Sequence, residues 1–207
     1  MTLTKEDLPT PALLLDLDIF QANLKKMARH VRRHGKSFRP HAKTHKCIQV
    51  AQRQIGIGTL GVCVATVPEA EIMVQGDVRG VLLTSPLGTA DKVGRMTQLA
   101  GKDPDLMVVV DHPHHVERYQ EAAQAAGRTM NVLVGIDVGD RRTGALPRPP
   151  VLDLASHAES NFLSANDSPP DNWAERGGAC PTTNGAPPDP ISPRDCFYYV
   201  NCALQQS

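Results

Sequence analysis

Arg39-Pro40-His41-Ala42-Lys43-Thr44-His45-Lys46 is the stretch on which the reading of this chain turns. Pro40 opposes helix, so residues 37–43 read as an extended run that ends on a lysine directly before a helix. Working outward, the same strand-then-helix order recurs on both sides. Towards the N-terminus, Leu13-Leu14-Leu15 reads as a first apolar strand. In residues 18–34, Phe20, Leu24, Met27, Ala28 and Val31 recur at helical spacing. Towards the C-terminus, Ile48, Ala51 and Ile55 mark a helix stopped by Gly56, and residues 59–65 are β-rich. Thr66 and Glu69 form a capping-box pattern for a helix through Val74, closed by Gly76. Residues 81–83, 106–110 and 132–138 read as further apolar strands. The helices between them are marked by Val93, Met96 and Leu99, and by Val116, Tyr119, Ala123 and Ala126, with Gly101 and Gly127 as stops.

Apolar strands alternating with helices imply a parallel sheet covered on both faces, hence a doubly wound sheet or a closed barrel. Pattern alone leaves both open. Five strands are readable from Phe38 onward, whereas a closed (β/α)8 barrel needs eight and typically ~250 residues. After about residue 160 the character changes. Residues 161–207 are rich in Pro, Asn, Asp and Gly and carry no helical or strand period, as in Ser168-Pro169-Pro170-Asp171 and 184–190. Cys196-Phe197-Tyr198-Tyr199-Val200 is a lone apolar patch there. The division expected is therefore an incomplete barrel domain over 1–160 and an irregular tail over 161–207. That tail is a natural linker or an abnormal end from a shifted frame or altered splicing; the abnormal end is the expectation.

The 207 residues carry a formal net charge of zero, which gives no electrostatic footprint for nucleic acid or an anionic membrane. No apolar run approaches the ~20 residues that span a bilayer. Residues 1–7 lack the apolar core of a signal peptide, so a cytoplasmic location is expected. The five cysteines, Cys47, Cys63, Cys180, Cys196 and Cys202, are odd in number and form no CxxC pair, which indicates neither a disulfide framework nor a zinc knuckle.

In a parallel β/α fold, ligands sit at the carboxyl ends of the strands. That rule selects Lys43, Thr66, Ser85, Asp111 and residues 137–144, and Lys43 is the one lysine among them. A lysine walled in by a barrel can be desolvated, which frees its amine to attack a carbonyl. His41, two residues earlier on an extended run, would share its face. His41 and His45 do not read as a metal pair, because the first precedes the helix. Asp111-His112-Pro113-His114-His115 reads as a water-exposed helix start. Lys25, Lys26, Arg29, Arg32 and Arg33 read as a solvated helix face. The glycines of 55–61 lack the strand-before, helix-after context of a dinucleotide loop.

Thr10-Pro11-Ala12-Leu13-Leu14-Leu15-Asp16 followed by Arg39-Pro40-His41-Ala42-Lys43-Thr44-His45-Lys46 resembles the opening of the D-threonine aldolase and D-serine dehydratase-like family. Further matches follow in order: 61–66, Glu69-Ala70-Glu71, 82–86, then Ile136-Asp137-Val138-Gly139 with Arg142-Thr143-Gly144. The similarity runs over about residues 8–147 and more weakly to 160. It implies an α/β fold, a partial TIM-type barrel of the alanine racemase N-terminal kind. It also implies a pyridoxal-phosphate-dependent lyase of D-amino acid metabolism, acting on D-3-hydroxy amino acids and giving glycine and an aldehyde. The close variants implied are D-serine dehydration and a barrel protein that binds pyridoxal phosphate without turnover. Carried over by position, Lys43 is the lysine that binds the cofactor and His41 a cofactor contact. Arg142 is the arginine beside the pyridine nitrogen, with Arg141 as its alternative. Arginine stays protonated, so it donates to that nitrogen without giving up a proton.

Family members are homodimers and take a divalent metal on a histidine and a cysteine or aspartate of their C-terminal part. No such pair is readable in the tail, so no metal residue is assigned. A five-strand barrel with an open edge exposes its interior. The expectation is a chain weak or inactive in catalysis and prone to aggregate, with homodimerisation in doubt. A truncated product without function is the remaining reading.

Overall fold

The computed structural model describes residues 4–147, 149–162 and 202–203. Six α-helices are described: α1 Leu17–Arg33, α2 Ile48–Ile55, α3 Val67–Gln75, α4 Ala90–Leu99, α5 Pro113–Ala126 and α6 Pro149–Phe162. They alternate with short strands β1 Cys63–Val64, β2 Leu82–Leu83, β3 Met107–Val110 and β4 Asn131–Val134, and β5 Cys202–Ala203 follows. The sheet order is β1-β2-β3-β4-β5; the first three pairings are parallel and β4–β5 is antiparallel. Ahead of β1, residues 38–41 run extended beside it. Leu60 N donates to Phe38 O, Cys63 N donates to Pro40 O, and His41 bridges Cys63.

This order decides between the two architectures left open by the sequence. Parallel strands laid down in sequence order, each joined to the next by a right-handed crossover, place all their helices on one face. The result is one wall of a β/α barrel, not a doubly wound sheet. Alternation along the strands agrees. Val62, Val64, Val81, Leu83, Val108, Val110, Val132 and Val134 are buried in the layer shared with the helices. On the opposite face Leu82 and Leu133 are also buried, whereas Cys63, Met107 and Val109 are half-buried. The expected cover is thus corrected in part: among the described residues helices pack on one face, while the other is partly buried without them. Arg39 lies on the half-covered side, where its guanidinium donates to Leu60 O (3.0 Å) and contacts Met107 Sδ (3.5 Å).

Several expectations met a different outcome. Leu13-Leu14-Leu15 forms no strand and is more than half exposed, because no neighbouring strand among the described residues offers it hydrogen bonds. Helix α1 forms, capped by Asp16, which accepts from Asp18 N and Ile19 N. Yet it buries only Leu24 and Ala28, and Met27 faces water. Lys43 does not end a strand: it sits in a 3-10 turn, Ala42–Thr44. The Thr66/Glu69 capping box is half realised. Thr66 Oγ1 accepts Glu69 N, but the Glu69 carboxylate returns to Ala65 N (2.9 Å), one residue before the cap. Helix α6 was not foreseen, although Val151, Leu154, Ala155 and Ala158 pack inward at helical spacing behind Pro149. The tail readings lie outside the described residues, apart from Cys202 and Ala203, which form a strand where none was expected.

At the amino ends of the strands one carboxylate organises the backbone. Asp103 is buried and accepts from Gly80 N (3.2 Å), Val81 N (3.0 Å) and Asp105 N (3.2 Å). It leads the chain into β2, where Gly61 and Gly80 pass so closely that a Cβ on Gly61 would run into the Gly80 carbonyl. Removing the carboxylate strands buried N–H groups. Asp103→Ala is therefore expected to lower stability by about 1–3 kcal/mol, read as a reduced urea midpoint at unchanged m-value.

Candidate active site

All parallel strands point their carboxyl ends to one rim, and that rim gathers the residues that the strand-end rule selects. The segment 38–41 delivers His41 and the Lys43 turn. Thr66 follows β1, Thr84 and Ser85 follow β2, Asp111 follows β3, and Asp137 to Gly144 follow β4.

The Lys43 turn is built by its histidines. His41 Nδ1 accepts the backbone N–H of Lys43 (3.2 Å), and His45 Nδ1 accepts that of Cys47 (3.1 Å). An imidazole that accepts at Nδ1 is neutral and carries its proton on Nε2. For His41, Nε2 then donates to Thr84 Oγ1 (3.4 Å), whose hydroxyl donates to Val64 O (3.0 Å). One ring thereby fixes the Lys43 backbone and reads the end of β2. Burial holds His41 below the ordinary imidazole value, and the nearby Lys43 ammonium adds to that; burial does the same for His45. Lys43 is exposed and makes no ion pair among the described residues.

Three carboxylates clamp the rim. Glu69 accepts Ala65 N and meets Lys46 Nζ at 3.3 Å. Burial alone would raise its carboxyl; the Ala65 N–H and the Lys46 ammonium outweigh that and hold it below the usual range. Asp111 accepts Gly144 N (2.8 Å) and lies 3.0 Å from His115 Nδ1. His115 thus departs from the expected water-exposed helix start, whereas His112 caps α5 by accepting His114 N (3.1 Å). Asp137 accepts Gly139 N (2.8 Å) and Arg141 N (3.0 Å), which hold its carboxyl low. The loop these two carboxylates close carries both arginines. Arg141 is left-handed (φ 52°) and engages Asp137 electrostatically; the exposed Arg142 makes no ion pair among the described residues.

The sequence singled out Lys43, His41 and Arg142. It missed Thr84 as the partner of His41, and it missed Asp111 and Glu69 as clamps. Glu69 carried a legible signal in its capping-box spacing; Thr84 and Asp111 depend on contacts 43 and 33 residues away. Among the described residues, no group of three or more His, Cys, Asp or Glu side chains could hold a metal ion. No helix among them is long and apolar enough to cross a membrane.

The profile of the alanine racemase N-terminal domain matches residues 15–164. The chain belongs to that family. It is 37% identical over 149 residues to a D-threonine aldolase of Arthrobacter sp, covering 72% of this chain and 39% of that protein. It is 32% identical over 155 residues to a 3-hydroxy-D-aspartate aldolase of Paracoccus denitrificans, covering 74% and 40% respectively. The crystal structure of D-threonine aldolase from Filomicrobium marinum superposes with a TM-score of 0.72 at 39% identity, over 74% of this chain and 41% of that one. The chain thus spans about two fifths of the length of these relatives.

The neutral histidines carry a pH consequence. Below an ordinary value of 6.5, the unfolded chain binds more protons than the folded one at both His41 and His45. Stability from this source is present above that value and lost as pH falls through the lowered folded values. Glu69 and Asp137, held low, lose theirs only in a more acidic window, below their ordinary 4.5 and 3.8. Urea midpoints are therefore expected to decline between pH 7 and 5. The double variant His41→Asn/His45→Asn, which keeps an acceptor at each turn, is expected to flatten that slope.

Proposed function

We propose that this chain carries the cofactor lysine of a pyridoxal-phosphate-dependent lyase acting on D-3-hydroxy amino acids, of the type that yields glycine and an aldehyde. The observation that supports it most is the Lys43 turn: an unpaired amine at the carboxyl-end rim, its backbone fixed by His41. The donor set fits the cofactor's two chemical ends. Lys43 offers an amine to an aldehyde, and the loop after β4 offers a guanidinium to a ring nitrogen. Bound there, pyridoxal phosphate supplies an electron sink for bonds at the amino acid Cα.

The chain's own groups have separable tasks. Lys43 binds. His41 holds the Lys43 N–H and, through Thr84, couples the turn to β2. Arg142 is the arginine that matches the family pattern for the ring nitrogen; Arg141, whose backbone N–H goes to Asp137, remains its alternative. Being permanently protonated, it orients the ring without transferring a proton. Asp111 and Asp137 preset the loop that carries it. The aldolases named above favour bond cleavage between Cα and Cβ over loss of the β-hydroxyl. A homodimer and a divalent metal belong to the same reading, with ligands assigned to none of the described residues.

Reduction with borohydride in the presence of pyridoxal phosphate, followed by peptide mapping, tests the anchor. The adduct is expected on Lys43 and should vanish in Lys43→Ala; labels scattered over surface lysines would overturn the assignment. Product analysis of the weak turnover expected from this chain on D-threonine then separates the chemistries: glycine with acetaldehyde is expected, whereas a 2-oxo acid with ammonia would mark a dehydratase.

A further inference from the structure

The rim carries a second exposed lysine beside the Lys43 turn. Lys46 lies three residues after Lys43, on the same turn, and both are exposed. An aldehyde-bearing ligand entering the rim therefore meets two candidate nucleophiles. We propose that Glu69 selects between them, by occupying Lys46 and leaving Lys43 free; this rests on the reading of Lys43 as the cofactor lysine.

Three features carry the assignment. First, the Glu69 carboxylate is fixed independently of Lys46. Its side chain is only 12% exposed, and one oxygen is held by the Ala65 N–H at 2.9 Å while the other meets Lys46 Nζ at 3.3 Å. It also lies in the first turn of α3, where the helix dipole favours a negative charge. The clasp is thus a stationary anion to which Lys46 comes. Second, the backbone of Lys46 is shaped for that visit. It adopts φ 48°, a conformation uncommon for residues with a side chain. The turn fixes it on both sides: Lys46 N donates to Ala42 O (2.7 Å) and Cys47 N to His45 Nδ1 (3.1 Å). Third, Lys43 has no counterpart to Glu69 among the described residues.

The chemistry makes this occupancy selective. A neutral amine adds to the aldehyde carbon, a C–N bond forms, and the aldehyde oxygen leaves as water. Either lysine must first give its ammonium proton to solvent; Lys46 must in addition part from the Glu69 carboxylate. Lys46 is largely exposed, so the discrimination is that of a partly screened ion pair, not an absolute block.

The test is quantitative peptide mapping of the purified chain after treatment with pyridoxal phosphate and borohydride. Glu69→Gln keeps an oxygen for the Ala65 N–H and removes the charge; a thermal melt checks that it folds. In this variant the ratio of Lys46 to Lys43 label is expected to rise about two- to fivefold, and added salt should raise it in the wild type but not in the variant. In Lys43→Ala, label on Lys46 should stay low and increase on adding Glu69→Gln. Equal labelling of the two lysines in the wild type, or a ratio indifferent to Glu69→Gln, would overturn the proposal. Absence of label on Lys43 in the wild type would count against the cofactor reading instead. The response of Lys46 in the Lys43→Ala background still decides the role of Glu69.

Discussion

The strand order β1-β2-β3-β4, parallel and without reversal, is the constraint from which the rest follows. Because each crossover has the same hand, the helices share one side and the strand ends share one rim. Side chains from segments far apart in sequence then meet by construction. His41 can reach Thr84 because two strand spacings separate them, about 10 Å across the sheet, and both project from the rim. The strands themselves are short, two residues in β1 and β2. Loops beyond such strands need further restraint if they are to present side chains reproducibly.

That restraint comes from carboxylates accepting backbone N–H groups. A buried N–H outside the sheet and helix ladders must find an acceptor or lose stability. Glu69, Asp111 and Asp137 supply it at the carboxyl-end rim, and Asp103 does so at the opposite end. Two of the four also stand near a cation: Lys46 for Glu69, Arg141 for Asp137. At this rim a carboxylate thereby also places a positive charge, while Lys43 and Arg142 make no ion pair among the described residues.

Much of this was legible in the sequence, for identifiable reasons. Strand–helix alternation was readable because burial against helices demands runs such as Met107-Val108-Val109-Val110. The extended run before Lys43 was readable because Pro40 excludes helix there. What was not readable depends on partners remote in the chain. The Lys43 turn is 3-10 because two imidazoles accept backbone N–H groups, and no local propensity announces that. Leu13-Leu14-Leu15 looks like a strand because its residues favour one, but a strand needs a neighbour to accept its hydrogen bonds. The Thr66/Glu69 spacing correctly placed a helix start, yet the carboxylate turned to Ala65, because that N–H ends β1 and has no ladder partner among the described residues. Helix α6 escaped because its Pro149-Pro150 start and Gly-poor body lie where similarity to known sequences was already fading.

Curvature links the anchor to the arginine. The extended segment before Lys43 and strand β4 before Arg142 are four strand spacings apart, roughly 19 Å along a flat sheet. A ligand the size of a single aromatic ring cannot be held at both ends across that distance by side chains standing perpendicular to a plane. On a wall bent towards its half-covered face, side chains on that face converge, and the same four spacings become a chord across the mouth. The inner face carries Leu82, Met107 and Leu133 beside the smaller Cys63 and Val109, and Leu83, Met73 and Met96 fill the outer layer against the helices. By holding Gly144 N to the end of β3, Asp111 ties the loop after β4 to the neighbouring strand end. The roles proposed for Lys43 and Arg142 therefore require the curvature of a barrel wall and not the loops alone.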